Sequence, residues 1–343
     1  MTHTVRLATR DGEHLQFDCG PGQTVIEAAE AASITLPSQC RQGSCGACHA
    51  HVTAGDFVLG EHSPSALPAN GGAHEAILMC RTEARSDLEI ALPYDHGRIQ
   101  FHAIAERNAH IAELETVATN TLRLILKLEP DDEFGSAAEF EPGQFMELGI
   151  PGSDVRRAYS LANTPNWDGE LEFLIRLQAG GRFSSFLRER AQPEMRLTVR
   201  GPLGAFGIDD ASLRPRWFVA GGTGLAPILA LLRRMAEYQE MHDARLFFGV
   251  NHEDELFALD ELDRIASTLP QLRVTPCVWK PRAAWSGFTG TPAEALQLAL
   301  QEADTQPDLY LCGPPPLLDA AEAAARAHGI PAPQIFSERF MPA

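Results

Sequence analysis

The sequence lacks a long apolar run. Its longest charge-free stretch, Trp217 to Leu232, is shorter than the roughly 20 residues that cross a bilayer, and Gly221, Gly222, Gly224 and Pro227 interrupt it. It suits a buried strand and turn better than a membrane helix. Basic charge is also scarce: 28 Lys and Arg stand against 46 Asp and Glu, a net charge of -18, whereas a nucleic-acid partner requires a cationic face. No apolar leader precedes Arg6 and Arg10, so a cytoplasmic location is expected. Internal repeats are absent, and the only biased segment is the alanine-rich stretch Ala320 to Ala327. Neither nucleic acid nor a membrane is an expected partner. What is present, 44% hydrophobic and 22% charged residues over 343 positions, is the composition of two or three folded domains rather than of a disordered chain.

The 7 cysteines are unevenly spread. Reduced cytoplasmic thiols that cluster point to metal or redox chemistry rather than to disulfides. Cys40, Cys45 and Cys48 are spaced C-x4-C-x2-C, and Cys80 follows after a sheet-like segment. That is the plant-type [2Fe-2S] ferredoxin arrangement, in which four thiolates converge on two irons. Gly43 and Gly46 would let backbone amides approach the cluster sulfurs. Cys45-Gly46-Ala47-Cys48-His49 also matches a covalent haem motif, but haem would leave Cys40 and Cys80 unexplained. A Rieske centre would need two histidine ligands, and no C-x-H pair precedes Cys48. His49 and His51 read as surface residues of the loop, and Cys19 and Cys277 as small buried hydrophobes.

Patterning divides the chain into three expected domains, 1–97, 98–210 and 211–343. The first opens with a hairpin, Val5 to Thr9 and Leu15 to Cys19 about Asp11-Gly12, then a helix begun by a capping box at Thr24 and Glu27. With its cysteine loop it reads as a small α+β module. The second carries alternating strand-like runs at Thr121 to Leu128, Gln144 to Ile150 and Leu171 to Leu177, for which an antiparallel barrel is the economical reading. The third alternates strand and helix: Trp217 to Ala220 then Pro227 to Glu240, Leu246 to Val250 then Leu256 to Ile265, Leu272 to Val278 then Pro292 to Ala303, Leu309 to Leu311 then Leu317 to His328. That alternation argues for a parallel sheet covered on both faces.

Gly221-Gly222-Thr223-Gly224-Leu225-Ala226-Pro227 joins a strand to a helix, where a phosphate can sit at the helix start, although Pro227 replaces the third glycine of the usual dinucleotide fingerprint. With Cys312-Gly313-Pro314 after the last parallel strand, it resembles the nucleotide domain of the ferredoxin-NADP reductase superfamily. Arg157-Ala158-Tyr159-Ser160 matches that family's R-x-Y-S flavin motif, and Gly181-Arg182-Phe183-Ser184 its G-x-x-S phosphate motif. The order of modules resembles the reductases of bacterial oxygenases. Glu141 to Met146, Arg157 to Asn163, Leu171 to Arg176, Phe248 to Asn251 and Phe336 to Phe340 are similar to the reductase component of soluble methane and butane monooxygenases.

The resemblance implies a β-grasp ferredoxin domain, an antiparallel β-barrel FAD domain and a parallel-sheet, Rossmann-like NAD domain. It implies FAD held by Arg157, Tyr159, Ser160, Arg176, Gly181, Phe183, Ser184 and Phe340. NADH would lie against Gly221, Gly222, Thr223, Gly224, Cys312, Gly313 and Pro314, with catalytic roles for Cys312, Ser160 and Glu338. Physically, a tyrosine face can stack on the flavin ring, while Arg157 and the helix start at Ser184 can neutralise pyrophosphate charge. After Val250 come Asn251, His252, Glu253, Asp254 and Glu255 with no arginine close by, which favours NADH over NADPH; the same acids also suit a helix start.

The expected activity is NADH-dependent electron transfer through FAD and the [2Fe-2S] cluster to the di-iron hydroxylase of a soluble alkane monooxygenase, with a small regulatory component as a further partner. The protein's task is then positioning, and no acid/base or nucleophilic triad is expected. Reductases of aromatic-ring dioxygenases and phenol-type hydroxylases share the module order and form the alternative. An iron–sulfur redox sensor is a remote one, because it would not need intact flavin and nucleotide motifs.

Overall fold

The computed structural model describes residues 2–340 except Cys40, Gln42, Ser44, Ser65, 68–75, 102–103 and 283–284. The chain divides into two compact units, Met1–Ala105 with Leu203–Ala205, and Glu106–Pro202 with Phe206–Ala343. No helix of the described residues is long and apolar enough to cross a membrane.

In the first unit, β1 (His3–Ala8) and β2 (His14–Cys19) form the expected antiparallel hairpin. Thr24 caps α1 (Val25–Ala31): its hydroxyl accepts from the Glu27 amide while the Glu27 carboxylate accepts from the Thr24 amide. The helix ends well before Pro37, because Ser33 takes φ +59° and the chain turns out of the helix there. After β3 (His49–Ala54), β4 (Phe57–Leu59), β5 (Ala76–Leu78), β6 (Thr82–Ala84) and β7 (Leu88–Ala91), the main sheet has the order β2-β1-β7-β3-β5. Its parallel β1–β7 pair lies between antiparallel partners, and α1 packs Val25, Ile26, Ala28 and Ala29 into the core under it.

In the second unit, β8 (Glu106–Ala118), β9 (Thr121–Leu128), β10 (Phe145–Gly149), β11 (Arg156–Ser160), β12 (Glu170–Arg176), α2 (Arg182–Glu189) and β13 (Arg196–Leu203) come first. The strands form one sheet, β11-β10-β13-β8-β9-β12, and a bridge between Leu161 and Phe173 joins its two ends, closing it into a barrel. Inward residues such as Leu124, Leu126, Leu148, Phe173 and Leu197 fill it.

The rest of the unit alternates as expected: β14 (Arg216–Gly221), α3 (Leu225–Glu237), β15 (Ala244–Val250), α4 (Leu259–Thr268), β16 (Leu272–Val278), β17 (Phe288–Thr289), α5 (Pro292–Gln301), β18 (Asp308–Gly313), α6 (Pro315–Ala327) and β19 (Ile335–Arg339). All four helices are offset from their sequence limits by up to three residues, and the backbone explains the offsets of α3 and α4. Helix α3 starts at Leu225, two residues before Pro227, which its first turn tolerates, and stops where Gln239 adopts φ +51°. Helix α4 waits until Leu259 because Ala258 sits at φ +58°. The sheet is parallel in the order β17-β16-β15-β14-β18-β19. The chain winds outward from β14, returns to lay β18 on its other side, and so creates a switch point between β14 and β18.

Candidate functional site

The cysteine site follows from strand register. His49 of β3 pairs with Leu78 of β5, so Cys48, just before His49, and Cys80, two residues past Leu78, meet although 32 positions apart. Their sulfurs are 3.2 Å apart, both buried and both free thiols. The Cys48 thiol is pushed up by its hydrogen bond with Cys80, then by burial, and further by Cys45. Metal removes that penalty, because it binds the deprotonated sulfurs. Gly43 has φ +75°, and a Cβ there would lie 2.8 Å from Arg81 Cγ and 3.0 Å from His62 Cβ, so the loop tolerates no side chain at this position. Arg41 forms an ion pair with Glu30 of α1, tying the loop to the helix. Cys40 lies outside the described residues, and among those described no three ligand-type side chains converge on one metal point. The buried, convergent Cys48 and Cys80, with Cys45 beside them, fit two irons that divide four thiolates between them.

A flavin-type site follows from the end of β11 and the start of α2. Gly181 caps α2 without a side-chain hydrogen bond, so its first amides remain for an anion. Ser184 is buried and its hydroxyl accepts from the Gln178 amide at 2.9 Å, which shapes the loop before the helix. Tyr159 packs on Phe183 with ring centroids 5.4 Å apart, and burial raises its phenol pKa. Arg182 is engaged by Asp154 at 2.6 Å. Arg157 donates only to the Arg156 carbonyl, and neither it nor Arg176 has a carboxylate partner among the described residues. In a chain with this acid excess, two guanidiniums without a carboxylate partner among the described residues, together with an uncapped helix start, fit a pyrophosphate.

The third set meets at the switch point. Ala220 of β14 is in register with Cys312 of β18, and Cys312 with Glu338 of β19. The glycine turn Gly222–Gly224 and the turn Gly313-Pro314 therefore leave adjacent strands side by side. A Cβ on Gly224 would lie 2.3 Å from the Cys312 carbonyl oxygen, so only glycine allows this approach. The Ser160 hydroxyl donates to Glu338 Oε2 at 2.9 Å, and the Cys312 thiol donates to the same oxygen at 3.8 Å. All three are buried. Burial, with Glu338 beside it, lifts the Cys312 thiol well above its ordinary value, so it stays neutral. Phe340 donates its amide to the Gly313 carbonyl at 2.8 Å, which ties the backbone after β19 to the turn after β18. The flavin-motif serine and the nucleotide-motif cysteine thus share one carboxylate, where the barrel meets the parallel sheet.

Family models match as the 2Fe-2S iron-sulfur cluster binding domain over residues 8–85, the oxidoreductase FAD-binding domain over 108–208 and the oxidoreductase NAD-binding domain over 218–323. The toluate 1,2-dioxygenase electron transfer component of Pseudomonas putida is 36% identical over 99% of each chain. Methane monooxygenase component C of Methylosinus trichosporium is 38% identical over 87% of each. The chain belongs to the flavin- and [2Fe-2S]-containing reductase components of oxygenases. Among solved structures, an Amycolatopsis cytochrome P450 reductase superposes with a TM-score of 0.82 at 29% identity, covering 98% of this chain and 99% of that one. The reductase is accordingly an oxidoreductase with domains for FAD, NADH and a [2Fe-2S] cluster.

One feature of this reductase was hidden from sequence reasoning. No arginine lies close after Val250 in the chain, yet β15 and β16 end side by side and bring cations to the acids there. The Trp279 amide donates to the Val250 carbonyl at 3.1 Å and the Lys280 amide to that of Asn251 at 2.9 Å. The Lys280 ammonium lies 4.0 Å from the centroid of the Trp279 ring, and Arg282 pairs with Asp254 at 3.6 Å. The available signal was topological: neighbouring parallel strands must deliver their following loops to one edge.

Proposed function

We propose that the chain is the NADH-dependent reductase of a soluble alkane monooxygenase of the methane or butane type and feeds a di-iron hydroxylase, with a small regulatory component alongside. The observation that carries the redox half of this reading is the shared carboxylate of Ser160, Glu338 and Cys312 at the switch point. Held there, FAD would supply conversion between the two electrons of a hydride and the single electrons that a [2Fe-2S] cluster takes. Tyr159 and Phe340 would flank the flavin ring, while Arg157, Arg176 and the amides of Phe183 and Ser184 would neutralise its pyrophosphate, with Gly181 turning the chain into the helix. Gly221, Gly222, Thr223 and Gly224 would let the nicotinamide nucleotide approach the backbone, and Gly313 and Pro314 would shape the opposite wall. Cys312 would present an uncharged, polarisable face to the nicotinamide. Glu338 holds both the Ser160 hydroxyl and that thiol in place without supplying a proton to the hydride. Cys40, Cys45, Cys48 and Cys80 would ligate the cluster, and module limits near residues 97 and 210 follow the three cofactors.

Support for the alkane assignment is the 38% identity to methane monooxygenase component C, together with the motif likeness from Glu141 to Asn163. The full-length match to the toluate dioxygenase component supports a second reading, an aromatic-ring dioxygenase as acceptor. Reconstitution separates them. The purified reductase, NADH and oxygen are mixed with either a soluble di-iron hydroxylase or a ring-hydroxylating dioxygenase oxygenase component, and product is measured. Turnover with the first alone supports the proposal; turnover with the second alone replaces it.

A further inference from the structure

The chemistry proposed above places the hydride acceptor on the barrel and the donor on the parallel sheet, so something must set their separation. Helix α3 starts at the glycine turn, and Arg233 lies eight residues on, roughly 12 Å along its axis. Its Nη1 donates to the Ala162 carbonyl at 2.9 Å and to Glu172 Oε2 of β12 at 2.6 Å. Four residues later, on the same face, Glu237 accepts from the Thr164 hydroxyl at 2.6 Å. Ala162 and Thr164 directly follow Ser160. Their segment is tied to β12 as well: the Ala162 amide donates to the Glu172 carbonyl at 2.8 Å, and the Glu172 amide to Asn163 Oδ1 at 3.0 Å.

From this we infer that Arg233, seconded by Glu237, is a positioning residue for hydride transfer: it clasps the segment after Ser160 to the helix that begins at the nucleotide-binding turn. The inference rests on the cofactor placement proposed above. The clasp is well suited to rigidity. Burial opposes ionisation of Glu172, but Arg233 and Arg123, the latter at 2.7 Å, outweigh it and hold its carboxyl below the ordinary range. Its Nε donates to Glu261 of α4 at 3.2 Å, so the planar guanidinium of Arg233 is held in direction as well as distance, which a lysine ammonium would not be. Because Arg123 would remain on Glu172, removing Arg233 leaves the buried carboxylate compensated.

The test uses the holoenzyme carrying Arg233→Met and Arg233→Lys. Anaerobic stopped flow with NADH reads flavin reduction and the long-wavelength charge-transfer absorbance of stacked nicotinamide and flavin. Flavin content, affinity for NAD+ and hydrogen exchange of residues 162–164 are measured beside it. We expect Arg233→Met to slow reduction by roughly ten- to a hundred-fold, as an ångström-scale misplacement does. The charge-transfer band should weaken and exchange at 162–164 quicken, with flavin content and NAD+ affinity retained; Arg233→Lys should fall between. Unchanged reduction and absorbance overturn the inference, whether or not exchange quickens. If Arg233→Met does not retain FAD, Glu237→Gln and Thr164→Val remove the other arm without touching a buried charge, and a wild-type rate in both also overturns it. Failure of NADH to reduce the wild-type flavin would instead refute the proposed function.

Discussion

Substituting Gly224 by alanine should injure nucleotide use far more than folding. The added Cβ would sit 2.3 Å from the Cys312 carbonyl oxygen, 2.6 Å from its carbon and 2.9 Å from Gly313 Cα. All three are backbone atoms, so no side chain can swing aside. Restoring an ordinary contact of 3.4 Å requires the turns after β14 and β18 to part by roughly 1 Å. Overpacking of that kind costs about 1–3 kcal/mol, a fall of several degrees in melting temperature for a unit of this size. The same displacement at the hydride-transfer site costs on the order of a hundred-fold in rate. Steady-state NADH oxidation with ferricyanide, alongside calorimetry, measures both. A Gly224→Ala protein with wild-type kcat/KM and melting temperature would refute the idea that close approach of the two turns builds the site.

Three further outcomes are expected. Cys80→Ser should abolish the reduced-cluster EPR signal yet spare NADH oxidation by an artificial two-electron acceptor; loss of both activities would mean that the cluster chiefly supports folding. Tyr159→Ala should weaken FAD retention by about ten-fold, the scale of about 1.4 kcal/mol set by losing one aromatic stack, and unchanged flavin content would remove Tyr159 from the site. Lys280→Glu should depress kcat/KM for NADPH about ten-fold relative to NADH, since its backbone is bonded to Asn251 just after β15 and its ammonium has no carboxylate partner among the described residues. Equal effects on both nucleotides would separate Lys280 from the ribose.

Local signals were legible where local physics decides. The C-x4-C-x2-C spacing, the Thr24 capping box and the strand–helix alternation after Arg216 each reflect chemistry within a dozen residues, and the elements they predict are present within a few positions. Shorter strands such as β17 and β19 carry no pattern of their own and exist because a neighbour supplies the ladder. Long-range register was not legible. Nothing local says that Glu338 lies beside Cys312, which depends on β19 adding in parallel to β18; only family resemblance pointed to it. The clasp of Arg233 on Ala162 and Glu172 joins positions 71 and 61 residues apart, and it exists only once the barrel and the sheet have packed. Lys280 escaped notice for the same reason, because inspection along the chain stops where the fold brings in the next strand.

The central claim is that NADH delivers electrons through a flavin to the cluster of this one chain. An anaerobic NADH titration tests it most directly, with flavin and iron–sulfur absorbance followed optically and matched samples frozen for EPR. Both chromophores are expected to bleach, with a rhombic reduced-cluster signal growing alongside. A protein that contains flavin and cluster yet is not bleached by NADH would contradict it.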